Sequence, residues 1–243
     1  MSPIVFFLCG AGVGESRWWE DEWRTALVNG GVASEVRVRC APSAGARGES
    51  SPHWWCNYHP KAGEGFADAR VSDTFSADIA MTAGVVASEV EDAVAAGHRV
   101  AFAGSSNGGH VAAEFALRYG AQYLLLASST PPRHQEDALI NSQIPVVMTI
   151  GSSEKYFGGA SALSSVARRV GAWRVEFWGG HCREGLAVME EAADAVRQWL
   201  HWTSGWSIPI PKAKVATITD LVPTCPNQSR ITDNLLYRTS RLG

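Results

Sequence analysis

The segment of this 243-residue chain that most directly suggests chemistry is Gly104-Ser105-Ser106-Asn107-Gly108-Gly109-His110. It follows an apolar run at 100–103 and opens a helical pattern that continues to 119. Gly-x-Ser-x-Gly between a strand and a helix is a nucleophile elbow: the serine occupies a sharp, strained turn that lifts its hydroxyl above the sheet. Gly104 and Gly108 carry no side chain to collide around that turn. The competing reading of the same residues is an ordinary Gly-Ser turn.

A serine hydroxyl at its normal pKa is a poor nucleophile, so it needs a base and an acid to orient that base. Chain order supplies both. An apolar run at 145–150 leads into Gly151-Ser152-Ser153-Glu154, and a run at 173–178 leads into Gly179-Gly180-His181. Residues just past the C-terminal ends of parallel strands are where α/β sheets place their sites. Ser106 is therefore the expected nucleophile, His181 the general base and Glu154 the orienting acid, with Asp137 as the rival acid. The backbone N–H of Asn107 and that of Ala11, in the Gly-rich loop Cys9-Gly10-Ala11-Gly12, are the expected oxyanion donors. That loop also matches the first half of Gly-x-Gly-x-x-Gly. Its third position is Glu15, however, and the second strand ends on Arg39-Cys40 with no ribose-binding acid.

These residues need a scaffold. Short apolar stretches at 4–9, 35–40, 99–104, 123–127, 145–150 and 173–178 read as strands covered on both faces. Between them, helical patterns span 18–28, 107–119 and 160–170. Others run through Ile79, Ala83, Val86, Val90 and Ala93, and through Leu186, Met189, Ala193, Val196 and Leu200, ending near His201. Such alternation predicts a six-stranded, mostly parallel sheet with helices on both faces. Two regions break the rhythm: 41–76, read as a long functional cover loop, and the Pro-punctuated basic tail 203–243. The expected division is a domain over 1–202 and an extension of unknown role over 203–243.

Composition narrows the classes. Lys and Arg total 21 against 24 Asp and Glu, which argues against a nucleic-acid partner. Five scattered cysteines without Cys-x-x-Cys spacing argue against a zinc site or a dense disulfide framework, and read as free thiols in a reducing compartment. No apolar run reaches the ~18 residues of a membrane span, and no secretory signal is evident, so a soluble cytoplasmic protein is expected.

The motifs together resemble the α/β-hydrolase superfamily, and within it the small phospholipase/carboxylesterase group that includes acyl-protein thioesterases. Members of that group open with a strand, His-Gly-x-Gly and a later Trp, places held here by Cys9-Gly10-Ala11-Gly12 and Trp18. Ala41-Pro42 and Trp54-Trp55 are similar to the elements after their second strand. Ser106-Asn107-Gly108-Gly109 matches their Ser-Gln-Gly-Gly elbow. The chain departs from the group at Cys9 (usually His), Glu154 (usually Asp) and Cys56 (usually Asp), and residues after Trp202 have no counterpart. The resemblance implies a three-layer hydrolase fold and a serine carboxylesterase or thioesterase acting on a small acyl substrate through an acyl-enzyme, with no metal or organic cofactor. The contrasting expectation is a non-catalytic hydrolase-fold subunit that binds a protein partner through 203–243.

Ten tryptophans are an unusual number. Trp18, Trp54 and Trp55 are expected near the sheet's C-terminal edge, where they either wall an acyl pocket or seal the core. Trp173 and Trp178 bracket the last strand as packing residues. Trp199, Trp202 and Trp206 sit where the last helix meets the tail.

Overall fold

A computed structural model describes residues 2–10, 18–42, 55–56 and 75–203. Its strands are β1 (Ile4–Leu8), β2 (Glu35–Arg39), β3 (Val100–Ser105), β4 (Leu124–Ala127), β5 (Val146–Gly151) and β6 (Trp173–Phe177). They form one sheet in the order β2-β1-β3-β4-β5-β6, with every neighbouring pair parallel. Each strand lies within one residue of its expected boundaries. The reason is visible in the burial pattern. The four inner strands are buried at every position, whereas the edge strands β2 and β6 are interrupted by partly exposed residues. Continuous apolar runs are what two covered faces require.

The covers are helical. Helices α1 (Trp18–Asn29) and α7 (Leu186–Thr203) lie on one face, over Val5, Phe7, Ala101, Ala103, Leu125, Val147 and Val175. The opposite face carries α2 (Phe75–Thr82), α3 (Gly84–Ala95), α4 (Asn107–Tyr119), α5 (Glu136–Ser142) and α6 (Gly159–Arg169), over Phe6, Leu8, Phe102, Leu124, Leu126 and Met148. Successive residues of β1 thus feed opposite cores, Phe6 stacking on Phe102 and Phe7 meeting Trp19 and Trp23. Full burial of each such side chain is worth about 1.5–3 kcal/mol.

Three local expectations change. The single helical pattern through Ile79 and Ala93 is two helices, broken before Gly84. Glycine is a poor helix former. Beside it the Thr82 hydroxyl turns to the backbone oxygens of Trp55 (2.5 Å) and Asp78 (2.8 Å). Helix α5, preceded by a 3-10 turn at Arg133–Gln135, has too little periodicity to be read from sequence, for only Glu136 and Leu139 of its residues are buried. It is tied to α6 by the paired hydrogen bonds from Arg169 to Glu136, 2.7 and 2.9 Å. Finally, Trp178 is 87% exposed rather than packed, since it lies beyond the end of an edge strand with no neighbouring strand to cover it. Most of the expected cover loop, the tail 204–243 and Trp206 lie outside the described residues. Among the described residues, no helix is long and apolar enough to cross a membrane.

Candidate active site

Ser106 joins β3 to α4 with φ 47° and ψ −122°. A non-glycine residue seldom adopts such a backbone, and one that does is held there by its surroundings. The Ser106 N–H donates to Ala127 O (3.1 Å), and its carbonyl accepts from Ser129 Oγ (2.6 Å) and the Gly109 N–H (3.0 Å). Steric fit completes the turn. A Cβ on Gly104 would stand 2.5 Å from Gly108 O, and one on Gly108 would fall well inside contact with Leu8 O. Gly10, just past β1, passes so near the turn that its own Cβ would lie 3.2 Å from Ser106 Cβ. The turn therefore requires glycine at 104 and 108 for close approach of backbone to backbone.

Asn107 begins α4, so its N–H has no intrahelical acceptor. Its side chain fastens residues 55–56: Oδ1 accepts from the Trp55 N–H (2.9 Å) and Nδ2 donates to Cys56 O (3.2 Å). Trp55 is 1% exposed and donates from Nε1 to Cys9 O at 2.8 Å. Its indole is packed into the core cluster under α2–α6. Ala11, Trp54 and the Trp18 side chain lie outside the described residues.

The ends of β5 and β6 bring the other two residues together. His181 Nδ1 stands 2.8 Å from Glu154 Oε2. A carboxylate there accepts the Nδ1 hydrogen and leaves Nε2 as the basic nitrogen. The Glu154 side chain is fully buried, and its Oε1 accepts from the N–H groups of Lys155 (2.9 Å) and Tyr156 (2.7 Å). The imidazole lies against two rings, Tyr156 at 4.5 Å and Phe157 at 5.5 Å. Phe157 also meets His110 of α4 at 5.6 Å, which links the acid loop to the helix that Ser106 opens. Asp137, the rival acid, is exposed on α5.

Sheet order poses a problem that a second carboxylate answers. Strands stand about 4.8 Å apart, so β6 starts about 14 Å from β3, with β5 and β4 between. The chain after β6 returns across both. The Cys182 N–H donates to Ser128 Oγ (3.0 Å), and Ser128 is one step past β4, beside Ser106 in the register Ser105↔Ala127. Glu184, only 2% exposed, accepts at Oε1 from Ser128 Oγ (2.8 Å) and from Thr149 Oγ1 of β5 (2.5 Å). Trp19 of α1 holds the Glu184 carbonyl at 3.2 Å. Ser128 and Cys182 both have positive φ, 46° and 50°, so two strained residues meet where the His181 loop crosses β4. Burial pushes the Glu184 carboxyl above its usual value, against the hydrogen bonds from Thr149 and Ser128. Burial, aided by Glu184, likewise pushes the Cys182 thiol up.

Sequence reasoning missed Glu184, Ser128 and Thr149. They are three segments apart, and no spacing rule joins them. Phe157 was equally hidden. Among the described residues, no cluster of His, Cys, Asp and Glu could hold a metal ion.

No family model matches this chain, and no curated protein does. Solved structures do. SOBER1 of Arabidopsis thaliana superposes with a TM-score of 0.59 at 14% identity, covering 82% of this chain and all of its own. YahD, solved with malic acid, gives 0.55 at 13% identity, covering 84% of this chain and 94% of its own. Atu2452 of Agrobacterium tumefaciens, a protein of unknown function, gives 0.50 at 15% identity, covering 82% and 90%. With a six-stranded parallel sheet between two helical layers and the elbow after its third strand, the chain has the α/β-hydrolase fold.

Proposed function

We propose that the protein is a serine hydrolase that cleaves carboxylic esters or thioesters of small acyl substrates. The observation that carries this reading is the 2.8 Å pair of His181 Nδ1 and Glu154 Oε2, on loops that lead back toward the strained Ser106 elbow. Ser106 Oγ attacks the acyl carbon and gives its proton to His181 Nε2. Glu154 holds the ring and stabilises the imidazolium. The Asn107 N–H, with that of Ala11, receives the charge developing on the acyl oxygen. His181 then protonates the departing alcohol or thiol, and afterwards activates the water that releases the acid from Ser106.

A fluorophosphonate probe tests the reading. Wild type should label at Ser106 and hydrolyse short p-nitrophenyl esters, whereas Ser106→Ala should do neither. Absence of labelling in folded wild type, or equal labelling of Ser106→Ala, overturns it.

A further inference from the structure

Two cysteines flank the site without a place in the proposed chemistry. Strands β1 and β2 pair in parallel register up to Leu8↔Arg39, and Cys9 and Cys40 are the next residue of each. The last bond of the ladder brings them together, since the Cys9 N–H donates to Arg39 O at 2.9 Å. Both side chains turn to the same face of the sheet. Cys9 belongs to the core under α1 and α7, and Cys40 packs against that core. Their sulfurs stand 3.0 Å apart, and the two are not disulfide-linked.

This is the geometry of a dithiol ready to close. A disulfide spans Cα atoms about 4.4–6.8 Å apart, and neighbouring strands stand about 4.8 Å apart. Bond formation brings the sulfurs to about 2.05 Å, a movement of roughly 1 Å. That movement belongs to Cys40. The Cys9 backbone is clamped, with its carbonyl receiving Trp55 Nε1 at 2.8 Å and facing Gly108, where a Cβ would stand 2.5 Å away. Cys9 is fully buried, while Cys40 is half-buried and therefore the sulfur a reagent reaches first.

We propose that Cys9 and Cys40 are an oxidative modification site, in which a peroxide-class oxidant links the ends of β1 and β2 immediately before Gly10, which borders Ser106. The Cys40 thiolate attacks a peroxide oxygen, giving a sulfenic acid and hydroxide, which takes up a proton to become water. Cys9 sulfur then attacks Cys40 sulfur. The S–S bond forms, the S–O bond breaks, and the leaving hydroxide takes the Cys9 proton as a second water. Two thiols are oxidised and one peroxide is reduced. The inference is independent of ester hydrolysis.

The test uses the full chain, reduced, desalted, treated with hydrogen peroxide and then alkylated. The expected product is about 2 Da lighter than the reduced chain before alkylation, and peptide mapping shows Cys9 joined to Cys40. Its thermal midpoint should rise by ~5–10 °C, because the link closes a long loop in the unfolded chain, and dithiothreitol should reverse the rise. Cys40→Ser should lose both effects. Cys56→Ser and Cys182→Ser should keep them. Cys9→Ser is buried and can fail to fold, so the half-buried Cys40 position carries the test. Full alkylation of both residues after oxidation, linkage of either to another cysteine, or a link that leaves the midpoint unchanged overturns the proposal.

Discussion

The Ser106 elbow and the His181 loop are both strained, and they are held by opposite means. At the elbow, backbone packs on backbone: Gly104 meets Gly108, and Gly108 meets Leu8, with no side chain between. Around His181, side chains do the holding. Glu154 grips the ring, while Glu184, Ser128 and Thr149 clamp the chain that follows. The first kind of support is all-or-none, because a methyl group cannot be accommodated by rigid backbone. The second is graded, because each hydrogen bond can be removed singly and its loss depends on what is left unpaired. A site built this way has one wall fixed by sterics and another tuned by polar contacts.

Five substitutions probe that contrast. Glu154→Gln should have the largest effect. Its amide can offer a hydrogen to Nδ1 and reverse the imidazole tautomer, so hydrolysis of a p-nitrophenyl ester should fall ~10³–10⁴-fold. Circular dichroism should show the fold intact. Gly108→Ala should be next, costing ~4 kcal/mol or more, read as lost soluble yield or a collapsed thermal midpoint. A mild loss would show that the elbow yields as the His181 loop does.

Glu184→Ala should cost ~2–3 kcal/mol in denaturant unfolding, since it leaves Ser128 and Thr149 hydroxyls buried without their acceptor. Its pH dependence has a definite sign. The Glu184 pKa is raised in the folded protein, mainly by burial, so the native state binds the extra proton. Stability then falls as pH rises from the ordinary glutamate value through the folded one. Glu184→Gln removes that fall, so its deficit relative to wild type should shrink as pH increases across this window. Urea midpoints at several pH values check it, and a deficit that grows with pH would contradict the assignment. Trp178→Ala should have the smallest effect, within ~0.5 kcal/mol by thermal melt, because that ring is exposed although it neighbours the His181 loop.

Legibility followed the same division. The elbow could be read because glycine spacing, a preceding apolar run and a following helix are local signals within 100–119. The order of Ser106, Glu154 and His181 could be read because strand ends mark positions in parallel sheets. Glu184 could not, for its partners lie 56 and 35 residues away, and an acid in a loop ordinarily reads as solvated surface. The tryptophans show the same limit. Trp55 and Trp178 are alike in composition, yet one is sealed beneath Cys9 O and the other stands in solvent.

What the sequence determined by itself was the six strands, the layers that cover them and the residue types placed at the sheet's C-terminal edge. Periodicity and glycine placement are properties of neighbours along the chain. Only the tertiary structure decided that Glu154 rather than Asp137 meets His181, that Glu184 returns the loop across β4 and β5, and that Cys9 touches Cys40. Each of those contacts joins segments far apart in sequence, and their meeting depends on strand order and register, which hydrophobic pattern does not encode.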